Sequence, residues 1–344
     1  MEKFDYRFSF GPWNIHEGAD PFGPFVRTSV PFDKKLEILK DLGFDGMQFH
    51  DDDAVPNLDD LSAIEIRTQA REMRKKLEDQ GLVAEFVAPR LWEHSKTIDG
   101  GFTANDPQAR RYAIERSMKA ADIGREMNTD LMVLWLAREG TYLREAKDAV
   151  RATNLLLEAI NNLLEYDNEL RIAIEPKPNE PMDLAYIPTI GHALALGLKT
   201  NEPDRVGCLV ESAHAILAGL DPSDEMAFSL AFGKLWSVHL NDQNGLKFDQ
   251  DRSFGSVNIR RAFNQVRVLD EYNFYEKGMI GLDVKALRTQ HSGVATKHLR
   301  NSLNTFLRLV EVVRSLDWGK VEDLISVRDY EELDWLIFSG LVGI

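Results

Sequence analysis

The chain has 344 residues, with 41 lysines and arginines against 56 aspartates and glutamates, so its formal net charge is −15. This acidic excess excludes a general nucleic-acid binder or a protein of anionic membrane surfaces, because both need clustered basic side chains. Hydrophobic residues make up 44% of the chain and Cys208 is its single cysteine, which indicates a globular protein without a disulfide framework or a cysteine-based zinc cage.

Short apolar runs alternate with long amphipathic stretches along the chain. The runs predict strands over 7–11, 46–49, 83–87, 131–135, 171–174, 206–210, 235–240 and 279–282. The stretches predict helices near 33–42, 61–80, 107–127, 143–166, 184–199, 213–219, 257–271 and 294–314. Eight strand–helix units favour an α/β fold of the (β/α)8 TIM barrel type over an open doubly wound sheet. We expect the barrel over 1–314 and a short C-terminal arm over 315–344.

Polar residues directly follow most of the predicted strands, and a barrel gathers such positions at its C-terminal end, where active sites lie. They are Trp13, Asn14, His50 to Asp53, Trp135, Glu175, Lys177, Glu211, His214, His239, Asn241, Asp249, Asp251 and Asp283. A ring of carboxylates at one cavity would repel itself unless a cation lay there. The pattern therefore predicts a metal site.

Each motif also has a purely structural explanation. Two prolines hold the backbone extended around Lys177, which fits either a positioned active-site lysine or a rigid surface loop. Glu211 and His214 are spaced to share a metal, although a lone histidine is more often structural. Asp249 and Asp251 fit a metal site or a solvated acidic loop, and Asp283 fits a ligand or a helix N-cap.

The segment after the second predicted strand suggests acid–base chemistry. An imidazole suits this chemistry, and Asp53 is near enough in sequence to orient the ring of His50. The alternative is that the three successive aspartates merely start a helix. Trp13, Trp92 and Trp135 follow separate strands and predict either an apolar pocket wall or ordinary packing. Carboxylates with one or two imidazoles and no thiolate favour Mg²⁺, Mn²⁺ or Co²⁺ as the metal.

Several motifs in this order make the sequence resemble the D-xylose (glucose) isomerases, in particular the shorter bacterial class, over about residues 7–314. The motifs are Phe49-His-Asp-Asp-Asp, Gly100-Gly-Phe-Thr-Ala-Asn-Asp, Ile174-Glu-Pro-Lys-Pro-Asn-Glu-Pro, Gly191-His-Ala-Leu-Ala and Gln243-Asn-Gly-Leu-Lys-Phe-Asp-Gln-Asp. The resemblance implies aldose–ketose isomerisation by a metal-assisted 1,2-hydride shift, with two divalent ions per chain.

The resemblance also implies a role for each matching residue. One metal would be held by Glu175, Glu211, Asp283 and His239, and the second by Glu211, His214, Asp249 and Asp251. His50, oriented by Asp53, would assist opening of the sugar ring, and Lys177 would contact the carbonyl oxygen at C1. Trp13 and Trp135 would wall the pocket, and Phe22 would reach the site of a neighbouring subunit.

This chain departs from the family pattern at several of these positions. His239 stands where the family has an aspartate, which predicts weaker Mg²⁺ binding and a shift toward Mn²⁺, Co²⁺, Ni²⁺ or Zn²⁺. Arg90 replaces a usual asparagine and Trp92 a usual phenylalanine, so both belong to the predicted substrate-binding set and the sugar need not be xylose. The usual pair of glycines after the fourth strand is Leu136-Ala137, and the C-terminal arm is short.

Two other functions remain open at this point: a sugar epimerase that transfers a proton, and a sugar-binding paralogue with little activity. In each case the expected partner is a small sugar, with no nucleic acid and no membrane. We expect a homodimer or homotetramer. The charged amino terminus lacks a signal-peptide core and no apolar run is long enough to span a membrane, so we expect a cytoplasmic protein.

Overall fold

Eight short strands form the centre of the molecule, in a computed structural model that describes residues 4–246 and 248–344. They are β1 (Phe8–Phe10), β2 (Gly46–His50), β3 (Val83–Ala88), β4 (Leu131–Trp135), β5 (Arg171–Glu175), β6 (Val206–Glu211), β7 (Leu235–Leu240) and β8 (Ile280–Leu282). The strands pair in parallel in chain order, and β1 pairs with both β2 and β8, which closes the barrel. The predicted (β/α)8 barrel is confirmed.

Helices return the chain from one parallel strand to the next, and most of them cover the outside of the barrel. They are α1 (Phe32–Asp41), α2 (Asp51–Ala54), α3 (Ala63–Glu78), α4 (Pro107–Glu126), α5 (Ala149–Tyr166), α6 (Ile190–Leu198), α7 (Ser212–Leu217), α8 (Pro222–Ala231), α9 (Ile259–Glu271) and α10 (Lys297–Ser315). In α5 the buried Leu156, Ile160 and Leu163 recur at helical spacing. That apolar face packs on the barrel while the other face meets solvent.

Some predicted helix bounds were wrong. Residues 143–148 lie outside α5, which begins at Ala149 because the Asp148 side chain accepts the backbone N–H of Arg151 and caps the helix there. Residues 184–189 lie outside α6, since Leu184–Ala185 pairs antiparallel with Gly140–Thr141 instead. Helix α8 was missed because its buried side chains other than Met226 are small ones that make no apolar stripe.

A polar cluster lies inside the barrel. Glu85 on β3 accepts hydrogen bonds from Ser237 Oγ at 2.8 Å, from Gln48 Nε2 at 3.1 Å and from Ser9 Oγ. Burial raises the pKa of Glu85. Three neutral donors on three other strands therefore satisfy a carboxyl group that an apolar interior would not tolerate.

Two further helices, α11 (Trp318–Val327) and α12 (Tyr330–Val342), follow the barrel and account for most of the predicted C-terminal arm. Helix α12 leaves Trp335 and Phe338 half-exposed, with their rings stacked at 5.5 Å between centroids. Residues 1–3 of the predicted barrel domain and Lys247 of the fifth motif lie outside the described residues. In the part of the chain that is described, no helix is both long and apolar enough to cross a membrane.

Candidate metal and substrate site

Acidic and histidine side chains meet at the C-terminal end of the barrel because the parallel strands all end there. Glu175 is the last residue of β5, Glu211 the last of β6, and His239 lies near the end of β7. Asp283 directly follows β8. Strand register places Glu211 beside His239, so two of the predicted ligands are neighbours across the sheet.

The predicted ligands form three groups, and Glu211 belongs to all of them. Within each group the ligand atoms lie within 4.8 Å of one another. The groups are Glu175, Glu211 and His214; Glu211, His239 and Asp283; and Glu211, Asp249 and Asp251. Glu211 is therefore the residue that these three groups have in common.

His239 points into this cluster. Its Nδ1 atom is 3.5 Å from Oε1 of Glu175 and 3.5 Å from Oε2 of Glu211. The ring is nearly fully buried. His239 is thus placed where an imidazole nitrogen could ligate the same ion as Glu211.

A second imidazole, that of His214, also contacts Glu211. His214 Nε2 is 3.3 Å from Oε1 of Glu211 and 3.1 Å from Oδ2 of Asp249, and its Nδ1 is 3.6 Å from Oε1 of Glu175. The side chain of His214 touches carboxylates from three different strands or loops. This arrangement contradicts the alternative of an isolated structural histidine.

Asn241 forms hydrogen bonds with several residues of the cluster. Its Nδ2 donates to Oε1 of Glu211 at 2.9 Å, to Oδ1 of Asp251 at 3.3 Å and to the backbone oxygen of Asp283 at 3.0 Å. Its Oδ1 accepts the backbone N–H of Ala213 at 2.7 Å. The sequence showed that Asn241 follows β7 but not that one amide would orient three predicted ligands.

Burial and mutual repulsion strongly shift the pKa values of the acids. Burial raises the pKa of Glu211 to about 8. Glu175 is equally buried, yet the His239 and His214 imidazoles beside it bring its pKa down to about 2. Burial raises the pKa of Asp251, and the carboxylate of Asp249 raises it further. Burial and neighbouring carboxylates therefore disfavour the charged forms of Glu211 and Asp251, whereas the adjacent imidazoles favour the charged form of Glu175.

The residues present fit a metal. Several buried ligand atoms have no hydrogen-bond partner among the described residues: Oε2 of Glu211, Nδ1 of His214, both ring nitrogens of His239 and Oδ1 of Asp249. Unpaired buried polar atoms are costly, and five carboxylates with two imidazoles form a donor set suited to divalent cations. The structure therefore has residues that could bind metal.

Lys177 lies beside the cluster and is almost completely buried. Its Nζ atom is 3.0 Å from Oδ2 of Asp249 and 3.0 Å from Oε2 of Glu180. Burial opposes its charge, but Asp249 and Glu180 raise its pKa above the usual value. Lys177 is a fixed cation, and its Nζ lies 5.2 Å from the centre of the Trp135 ring.

The predicted tryptophans form one aromatic wall, which we define as Trp13, His50, Trp92 and Trp135. Ring centroids are 4.2 Å apart for Trp13 and His50, 5.0 Å for His50 and Trp92, and 4.5 Å for Trp92 and Trp135. Trp13 Nε1 donates to Oδ1 of Asp283 at 3.0 Å, which ties the wall to the acidic cluster. The three tryptophans thus form one continuous aromatic surface that includes the His50 ring.

The remaining predicted residues lie at the edge of the site. His50 Nδ1 is 3.0 Å from Oδ2 of Asp53, as expected for an oriented imidazole, and Asp51 to Asp53 also start α2. Arg90 was expected to face the sugar, but its guanidinium contacts Asp52, Asp53 and His50. Phe22 is 84% exposed, and its ring lies 6.4 Å from that of Phe248.

Sequence reasoning missed two cations of this region. Lys285 contacts Oδ2 of Asp251 and is placed to balance its charge. Arg116 of α4 binds both oxygens of the buried Asp51, at 2.7 and 2.8 Å. Lys285 could have been identified from the sequence, because it follows the predicted ligand Asp283 by two residues. Arg116 could not have been identified, because it belongs to α4, which is distant in sequence from Asp51.

The fold and the site together define a (β/α)8 barrel with a carboxylate–imidazole cluster at its C-terminal end. Residues 36–299 match the family of xylose isomerase-like TIM barrels. A xylose isomerase of Thermus thermophilus is 34% identical over 315 residues, which cover 90% of this chain and 80% of that protein. The chain therefore belongs to the xylose isomerase-like TIM barrel family.

Solved structures share the same architecture at much lower identity. The apo 3-keto-D-glucoside 4-epimerase of E. coli has a TM-score of 0.62 and 14% identity, covering 88% of this chain and 99% of that one. A xylose isomerase domain protein of Alicyclobacillus acidocaldarius has a TM-score of 0.61 and 13% identity, covering 90% and 99%. At this identity the two structures show the fold alone.

Proposed function

We propose that the protein is an aldose–ketose isomerase that binds two divalent metal ions and transfers a hydride between C1 and C2 of a sugar. The observation that carries the proposal is the cluster centred on Glu211, which lies next to the buried cation of Lys177 and the aromatic wall. The 34% identical xylose isomerase of Thermus thermophilus supports the same reaction class.

The resemblance to the xylose isomerases implies two ligand sets: one ion would be held by Glu175, Glu211, His239 and Asp283, and the other by Glu211, His214, Asp249 and Asp251. The contacts of His239 with Glu175 and Glu211 support the first set, and the group of Glu211, Asp249 and Asp251 supports the second. Bound divalent ions would supply positive charge near the oxygens on C1 and C2, the two carbons between which the hydride moves. Five carboxylates provide five formal negative charges, which two divalent ions and Lys177 would balance.

The protein's own side chains would stabilise charge, assist ring opening and exclude water. Lys177 would donate a hydrogen bond from Nζ to the carbonyl oxygen and stabilise the negative charge that develops there. His50 would contact the sugar ring and assist its opening. The aromatic wall would exclude water from the two carbons, so that the migrating hydrogen does not exchange with solvent.

Isotope transfer tests the reaction. The full-length protein is first screened against a panel of aldoses with Mg²⁺, Mn²⁺, Co²⁺ and Ni²⁺, and an active aldose is then supplied with deuterium at C2. A hydride shift predicts that the deuterium is retained at C1 of the ketose. Loss of deuterium to solvent would instead favour proton transfer of the epimerase type, and inactivity on the whole panel would favour a sugar-binding paralogue.

The ligand that departs from the family pattern predicts an altered metal preference. We expect His239→Asp to improve Mg²⁺ binding relative to Mn²⁺ by about 10-fold, because a carboxylate adds negative charge and is a harder ligand than imidazole. Calorimetric titration of each metal into the metal-free wild type and variant gives the ratio of dissociation constants.

His239→Asn separates the two effects, since it removes the imidazole without adding charge. We expect His239→Asn to weaken binding of both metals. The preference for Mg²⁺ over Mn²⁺, measured as the ratio of their dissociation constants, should improve less than in His239→Asp. If His239→Asp leaves the ratio unchanged, position 239 does not ligate metal.

A further inference from the structure

Arg90 contacts both residues of the His50–Asp53 pair. Its Nη2 atom lies 2.8 Å from Nδ1 of His50 and 3.2 Å from Oδ1 of Asp53, and its Nε donates to Oδ1 of Asp52 at 2.7 Å. The backbone N–H of Arg90 also donates to Oδ1 of Asp51 at 3.1 Å. The Arg90 side chain is only 17% exposed, so this geometry is held from several sides.

The contacts at Nδ1 of His50 compete with each other. A guanidinium has five N–H donors and no acceptor, so its contact with Nδ1 requires a lone pair on that nitrogen. Asp53 approaches the same nitrogen at 3.0 Å, and this contact requires a proton there. One ring nitrogen cannot satisfy both partners at once.

Asp53 has other hydrogen-bond donors, whereas Nδ1 of His50 can form a hydrogen bond with Arg90 only as an acceptor. Oδ2 of Asp53 accepts the backbone N–H of His50 at 3.1 Å, and Oδ1 accepts Nη2 of Arg90. Both carboxylate oxygens of Asp53 therefore have a donor without a proton on Nδ1 of His50. A proton on Nδ1 would instead face a permanent cation donor at 2.8 Å.

The other ring nitrogen of His50, Nε2, is not engaged by these contacts. The His50 side chain is 11% exposed and lies between Trp13 and Trp92. Among residues 4–246 and 248–344, no side chain or backbone group forms a hydrogen bond with Nε2 of His50. Nε2 is therefore the ring atom left for a ligand.

We propose that Arg90 is a positioning residue that holds His50 as the neutral tautomer with its proton on Nε2. His50 then donates a hydrogen bond into the pocket and recognises an oxygen with a free lone pair, such as a sugar ring oxygen, rather than accepting from a hydroxyl group. The choice of a sugar as the ligand rests on the proposed function, whereas the tautomer itself does not.

Imidazole ¹⁵N spectroscopy tests the tautomer directly. The full-length protein is labelled with ¹⁵N-histidine and measured at neutral pH with Mg²⁺, which does not broaden the signals, and the His50 signals are assigned by their loss in His50→Gln. We expect Nδ1 of His50 to resonate as an unprotonated nitrogen and Nε2 as a protonated one. A protonated Nδ1 in the wild type, whether alone or together with a protonated Nε2, would overturn the proposal.

Two variants test whether Arg90 is the cause. Arg90→Gln removes the cation, and Arg90→Lys keeps a positive charge for the three aspartates but has no planar fork to reach both Asp52 and His50. In each folded variant we expect the proton to move to Nδ1, where it donates to Asp53. Unchanged signals in a folded variant would show that Arg90 does not set the tautomer.

A matched control keeps Arg90 and removes one of its weaker partners. Glu93→Gln removes the contact with Nη1 of Arg90 at 3.4 Å at an exposed position, so the His50 signals should not change. Because the readout does not depend on turnover, an inactive protein with the expected tautomer contradicts only the proposed function. An active isomerase with a protonated Nδ1 contradicts only the role of Arg90.

Discussion

Replacing Glu211 with glutamine should lower isomerase activity by on the order of 10³-fold and weaken binding of both metals, since Glu211 is shared by all three ligand groups. The amide keeps the size of the side chain and removes its charge. The measurements are kcat/KM with the best aldose and metal, and calorimetric titration of Mn²⁺ into the metal-free variant.

Stability measurements separate lost binding from lost folding. The pKa of Glu211 is raised to about 8 by burial, so its charge costs stability in the metal-free protein as pH rises toward and above that value. At pH 8.5 the metal-free variant should therefore unfold at the same temperature as the wild type or a higher one. The control is Glu78→Gln at an exposed position on α3, which should not change activity or metal binding. Full activity in Glu211→Gln would refute the bridging role.

Replacing Lys177 with methionine should lower kcat by about 10²- to 10³-fold and change KM little, because the lysine would stabilise charge that develops during the reaction rather than in the bound sugar. Methionine keeps most of the apolar part of the side chain and removes its charged end. Steady-state kinetics at saturating metal provides both constants.

The same substitution at Lys234 is the matched control, because this lysine precedes β7 at the opposite end of the barrel. Lys234→Met should leave kcat unchanged. A Lys177→Met variant that raised only KM would show that Lys177 binds the sugar without a special role in the hydride shift.

The barrel could be predicted from sequence because each of its strands carries a short apolar run. The approximate location of the candidate metal ligands followed as well, since residues after parallel strands must lie at one end. Helix boundaries were harder to predict, because side-chain caps such as Asp148 decide them. A helix like α8, with small buried side chains, has no periodic signal to detect.

The parts of the site that sequence could not predict are long-range partnerships. Arg90 was expected near the sugar because it stands where the resembled family has an asparagine, but the direction of its side chain depends on Asp52 and Asp53 after β2. The role of Asn241 depends on three residues from different strands and loops. Glu85 sits in an otherwise apolar run, and only the barrel interior brings Ser9, Gln48 and Ser237 to it.

The aromatic wall has an optical consequence. Three of the chain's six tryptophans, Trp13, Trp92 and Trp135, belong to the aromatic wall and contact one another or His50. A ligand that enters the pocket changes the polarity around these indoles, so a large share of the protein's intrinsic fluorescence should respond to occupancy. The emission spectrum can therefore report sugar affinity in variants too slow to assay by turnover.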